Sequence, residues 1–135
     1  MVFSGEFDRV YAALAIANGV LARGEMATLF FSFWAVAALR NGKAAARKAW
    51  LERLVGKCFP SSIDRLPVSR FNCGGLGAVF FRWWMGRQQA ASLRTLLAEV
   101  QDLGVRIVVC ELSLQMLGLR REERIEGVSF GGVAG

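Results

Sequence analysis

The chain has 135 residues, 54% apolar and 21% charged, and its 17 Lys and Arg against 11 Asp and Glu leave a formal charge of +6. With mean hydropathy +0.37 and a pI near 10.0, so much apolar surface must collapse, which excludes disorder and suits a single domain over residues 1–135. Histidine is absent, so His-based metal sites, His general bases and Ser-His or Cys-His pairs are excluded.

Met1-Val-Phe-Ser4 reads as a brief strand remnant ahead of Gly5, too short for a signal peptide and followed at once by Glu6 and Asp8. Phe7 to Ala22 carries Val10, Leu14, Ala17 and Leu21 at helical spacing, with Gly24 just past the end. Ala27 to Trp34 is continuously apolar and rich in β-formers, as a parallel strand covered on both faces should be. A second helix is expected from about Ala35 to Gly56, interrupted near Asn41-Gly42, with Lys43, Arg47, Lys48 and Arg53 as a basic exterior. Residues 57–72 hold both prolines and read as a loop. Gly74-Gly75-Leu76-Gly77 leads into the apolar segment Ala78 to Met85. Ser92 to Leu103 is a helix with Ser92 as cap, Leu93, Leu96, Leu97 and Val100 on one face, and Gly104 closing it. Val105 to Val109 is the next strand, Glu111 to about Leu117 a turn or short helix, and Val128 to Phe130 a last strand. This alternation argues for a βαβ arrangement in a mostly parallel sheet, an α/β fold.

The longest charge-free run, Met26 to Leu39, lies between Glu25 and Arg40 and is shorter than the ~18–20 residues of a spanning helix. The reading is therefore a soluble cytoplasmic protein with no membrane span. Cys58, Cys73 and Cys110 are an odd, scattered set without a CxxC pair, which fits neither a disulfide scaffold nor a structural zinc site; no metal is expected.

Cys110 follows the strand VRIVV directly and precedes the turn Glu111-Leu-Ser-Leu-Gln-Met116. Ligand sites of open α/β sheets lie outside the carboxyl ends of the strands, and free N–H groups there favour a thiolate. The alternative is a buried cysteine acting as a small hydrophobe, and Glu111 would push the thiol pKa up. Cys73 sits in Asn72-Cys-Gly-Gly-Leu-Gly77, whose glycines allow close backbone approach or a helix start, although no Gly-Lys-Ser/Thr or GxGxxG pattern follows. Cys58 reads as an incidental thiol. Phe80, Phe81, Trp83, Trp84 and Met85 share their segment with Arg82 alone, and a helix apolar on all sides calls for an oligomer interface or partner surface. A peripheral membrane contact is the minority reading. The basic residues of 40–57 are not interleaved with aromatics, so a solvated face is read there and no nucleic-acid partner.

With these residues in view, the sequence resembles the DsrE/DsrF/DsrH-like family, also labelled peroxiredoxin-like. The likeness runs nearly end to end, through Phe3-Ser-Gly-Glu-Phe-Asp8, Ala17-Asn-Gly19, Thr28-Leu-Phe-Phe-Ser-Phe-Trp34, Leu66-Pro67 and Asn72-Cys-Gly-Gly-Leu-Gly77. It continues in Cys110-Glu-Leu-Ser113, Met116, Gly118 and Gly127-Val-Ser-Phe-Gly-Gly-Val-Ala134. The resemblance implies a flavodoxin-like or Rossmann-like parallel sheet, assembly into trimers or hexamers, and handling of sulfane sulfur. It maps the sulfur-binding cysteine onto Cys110, which would hold a persulfide and pass it to a carrier such as a TusA-like protein, with rhodanese-like donors nearby. Many relatives carry Met where Cys73 stands, so a second thiol there would resolve or relay a persulfide. The first strand is shorter than the family's pattern, an expectation of a few residues ahead of Met1, and the hydrophobic anchor helix of some relatives has no counterpart.

The leading expectation is sulfur relay by Cys110, with Ser113 donating a hydrogen bond one turn on and no cofactor required. Two alternatives come from other classes. One is a non-catalytic oligomeric structural or regulatory subunit; the other is a nucleotide- or anion-binding domain using Gly5 and the Gly74, Gly75 and Gly77 loop. A thiol peroxidase ranks last, because no Thr-x-x-Cys arrangement or evident cation activates Cys110.

Overall fold

A computed structural model describes residues 1–42, 60–68 and 73–132. Three strands, β1 (Thr28–Phe31), β2 (Arg106–Cys110) and β3 (Val128–Gly131), form a parallel sheet in the order β1-β2-β3. Thr28 pairs with Arg106 and Phe31 with Val109, while Ile107 pairs with Val128 and Cys110 with Gly131. The N-terminal residues add one parallel bridge, Val2 to Phe31, on the outer side of β1. The expected α/β architecture is therefore present: a parallel sheet flanked by helices.

Helix α1 (Phe7–Ala22) buries Phe7, Val10, Leu14 and Ala17. These positions recur every three or four residues, so one stripe faces inward and packs against α3 (Leu93–Asp102). In α3 the Ser92 side chain accepts from the Thr95 N–H at 3.1 Å, and Gly104 leaves the helix at φ 89°, a conformation that suits glycine. Its buried face is Leu93, Leu96, Leu97 and Val100, as the spacing predicts. Each such side chain contributes about 1.5–3 kcal/mol by leaving water. Ile107 and Val109 of β2 and Phe31 of β1 complete the core.

Three expectations change. The strand expected over 27–34 ends at Phe31, and Phe33–Leu39 winds instead as a 3-10 turn whose Ala35, Val36, Ala37, Ala38 and Leu39 are all buried. The helix expected from Ala35 does not run through Arg40, because there the backbone bridges antiparallel to Arg124 and Ile125 N–H donates to the Leu39 carbonyl. Lys43, Arg47, Lys48, Arg53 and Cys58 lie outside the described residues. Within the expected loop, Ile63–Arg65 forms a 3-10 turn that buries Ile63.

The apolar segment 78–85 lies on helix α2 (Leu76–Arg87), which follows a 3-10 turn at Cys73–Gly75. Gly74 and Gly75 hold φ of 69° and 100°, which glycine adopts without steric cost. Only part of α2 is anchored: Phe81 meets Phe7 edge to face at 5.7 Å, and Arg82 reaches the Asp64 carbonyl at 2.7 Å. Leu76, Val79, Phe80, Trp83 and Trp84 stay exposed, and Trp84 lines a shallow groove with Gly77, Phe80 and Phe81.

Candidate functional site

The carboxyl edge of the sheet gathers residues from three segments. Cys110 ends β2 and is 1% exposed. Directly after it, α4 (Glu111–Met116) turns back and buries Ser113 and Leu114. One position past the Phe31–Val109 pair, Ser32 leaves β1, so the register sets it beside Cys110. Ser32 and Ser113 are both buried, and their hydroxyls lie 3.1 Å apart. The Phe33 N–H donates to Ser113 Oγ at 3.0 Å. Phe33 has a φ of 49°, a left-handed conformation that costs a bulky residue energy and is held where surrounding structure demands it.

Burial alone would raise the Cys110 pKa, because it disfavours a charged sulfur. The Ser113 hydroxyl and N–H, the Ser32 hydroxyl and the Leu112 N–H all donate to it, and together they bring the pKa below the ordinary thiol value. Glu111, the neighbour expected to oppose this, is engaged by Arg121. The thiolate is thus favoured by neutral dipoles, with no cation contributing to the shift. Of the residues gathered here, sequence reasoning singles out Cys110 and Ser113, which share one turn, and does not single out Ser32. Its signal was a small polar residue closing the apolar run Thr28 to Phe31, opposite the end of the Cys110 strand.

The remaining predicted positions fall elsewhere. Cys73 is exposed at φ 34°, just ahead of α2, and all four donors to Cys110 come from the end of β1 and the start of α4. Gly5 packs face on against the chain: a Cβ there would stand 2.6 Å from the Trp34 carbonyl oxygen. Its role in the fold is this close approach. Gly74 and Gly75 face open space, and Gly77 is a buried residue in the first turn of α2 itself. Among the described residues no three His, Cys, Asp or Glu side chains cluster to hold a metal, and no helix is long and apolar enough to cross a membrane.

A parallel sheet with a buried, hydrogen-bonded cysteine at the carboxyl end of its middle strand defines a small thiol-bearing α/β domain. The chain belongs to the DsrE/DsrF/DrsH-like family, whose model matches residues 1–135. It is 33% identical over 135 residues to the protein YrkE of Bacillus subtilis (strain 168), described as uncharacterized, an alignment that covers 99% of this chain and 84% of that protein.

Proposed function

We propose that the protein carries sulfane sulfur on Cys110 and passes it to an acceptor thiol. The observation that carries this reading is the place of Cys110, buried at the carboxyl end of the middle strand beside the Ser32 and Ser113 hydroxyls; hydrogen bonding there draws its pKa below the ordinary thiol value. The thiolate is the attacking species in sulfur exchange. It attacks the outer sulfur of a donor hydropersulfide, forming a Cys110 S–S bond as the donor's S–S bond breaks and its thiolate departs. An acceptor thiolate then attacks the same outer sulfur, takes it as a new persulfide and releases Cys110 as thiolate. No electrons are gained or lost overall, so neither cofactor nor metal is needed.

A rhodanese-like donor and a TusA-like acceptor suit this exchange, as does a reducing cytoplasmic setting, where free thiols persist. Cys73, exposed, is available as a second thiol for relay. The exposed apolar face of α2 supports assembly into a homo-oligomer, a trimer or hexamer. That same face, together with the near-complete burial of Cys110, also favours the second reading, a structural or regulatory subunit without chemistry of its own.

Incubation with polysulfide, or with thiosulfate and a rhodanese, followed by peptide mass spectrometry separates them. Sulfur relay requires a reductant-removable gain of about 32 Da on the Cys110 peptide, lost in Cys110→Ser. A parent protein that gains nothing, with Cys110 alkylated only after denaturation, leaves the structural reading standing.

A further inference from the structure

Exposed apolar side chains gather at the carboxyl edge of the sheet, where β2 ends in Cys110. Phe33 and Trp34 follow the end of β1, Leu112 and Met116 lie one turn apart on α4, and Phe3 comes from the N-terminal segment; each is at least 50% exposed. Hydrogen bonds tie these three segments together. The Phe33 N–H donates to Ser113 Oγ at 3.0 Å, the Ser32 N–H to the Val2 carbonyl at 2.9 Å and the Ala35 N–H to the Phe3 carbonyl at 3.1 Å. Those bonds pin Phe33 at φ 49°, where a bulky side chain is strained, and its ring still stands half in water. A strained residue that also exposes its ring is costly twice in the free protein, and such outliers collect where a partner or ligand is met.

We propose that Phe3, Phe33, Trp34, Leu112 and Met116 form a docking face for the acceptor protein, whose thiol reaches Cys110 on an uncharged, apolar segment. The acceptor's thiol rests on the sulfur-relay reading. An acceptor that exchanges sulfur with a residue 1% exposed has to seat its own surface against the segments that enclose that residue. Phe, Trp and Met are the side chains enriched at the centre of protein interfaces, where charged groups are scarce. In the exchange the acceptor thiolate bonds to the outer sulfur of the Cys110 persulfide, the S–S bond breaks and Cys110 leaves as thiolate. One sulfur atom moves, and no electrons are gained or lost.

Charge favours this occupant over the others. Besides Cys110, residues 1–6, 32–39 and 110–116 contain two ionisable side chains, Glu6 and Glu111. Glu6 is held by Ser4 and Arg9, and Glu111 by Arg121. Arg9 and Arg121 are thereby neutralised, which disfavours a polyanion or an anionic lipid surface here although the whole chain carries +6. A second copy has other apolar surface to cover, the exposed aromatics of α2.

The test compares two acceptor peptides of equal length, one with leucines on both sides of its cysteine and one with aspartates, at rates corrected for thiolate content. From the persulfide-loaded protein the neutral peptide takes sulfur about tenfold faster or more. Trp34→Ala and Leu112→Gln each remove most of that preference, as the loss of an anchor residue does. Phe33→Gly does the same in a chain that folds without strain, since glycine adopts a φ of 49° at no steric cost. Equal rates in the parent, or a preference that survives all three variants, overturn the face. Binding is read separately from the methyl NMR resonance of Met116, with serine in place of the peptide's cysteine. A shift with the neutral peptide, in protein that takes up no sulfur, removes the relay and leaves the face. A methyl that answers instead to protein concentration, or to phosphatidylglycerol vesicles, gives the face to a second copy or a membrane and overturns the proposal.

Discussion

Cys110 and the trio Arg40, Glu123 and Arg124 are both buried places where charge is held, and they hold it differently. Around Cys110 every contribution that favours charge is a neutral N–H or O–H dipole. At the trio, Arg40 Nη2 donates to Glu123 Oε2 at 3.0 Å and Arg124 Nη1 to the Val36 carbonyl at 3.0 Å. Burial, against the attraction of Glu123 and with added repulsion from Arg40, lowers the Arg124 pKa to about 10. Arg124 Nε and Nη2 are buried without a hydrogen bond among the described residues. Dipoles leave the sulfur free to change its charge, since they stay put when the proton returns. A full counter-charge fixes it, and a second cation beside it is surplus. The thiol site is suited to chemistry and the trio to locking the chain between Leu39 and Ile125.

Substitution should separate the two modes. The largest effect is expected at Glu123→Gln, which removes the counter-charge of two buried guanidinium groups and costs roughly 3–5 kcal/mol in urea unfolding; a loss below that of a surface substitution would mean the trio locks nothing. Next comes Gly5→Ala, which drives a methyl into the Trp34 carbonyl and costs about 1–3 kcal/mol by the same assay. Ser113→Ala leaves the Phe33 N–H without its acceptor and costs about 1–3 kcal/mol, while also raising the Cys110 pKa. Arg124→Met removes the surplus cation and is expected within about 1 kcal/mol of the parent, or more stable. A large loss there would show that Arg124 is not surplus but part of what holds the trio together.

The smallest effect is in pH. Cys110 ionises more readily folded than unfolded, so its contribution is fully present above the unfolded thiol pKa and is lost as pH falls through the folded value. The stability of the parent over Cys110→Ser should therefore widen as pH rises from about 7 to about 9.5. A gap that narrows over that range would mean that burial outweighs the four donors.

Where a feature was set by neighbours in sequence, it was legible. The Ser92 cap with Leu93, Leu96, Leu97 and Val100 marked α3, and the β-branched run before Cys110 marked β2. Phe33–Leu39 misled because Ala and Leu favour helices while its fate is decided by distant partners: Arg40 is drawn to Glu123 and Leu39 to Ile125. Ser32 and Cys110 are brought together only by strand register, which no local window contains. The trio was hidden for the same reason, since a charged residue reads as exposed until its partner is known.

The exposed aromatics of α2 have a consequence for spectroscopy. Three of the four tryptophans, Trp34, Trp83 and Trp84, are 45–56% exposed, and Phe80 stacks with Trp84 at 6.2 Å. Indole emission from these positions starts out solvent-relaxed, so it changes little when the chain unfolds. It moves to the blue when another surface covers α2. At Trp83 and Trp84, then, indole emission is a more direct reporter of a surface laid over α2 than of denaturation.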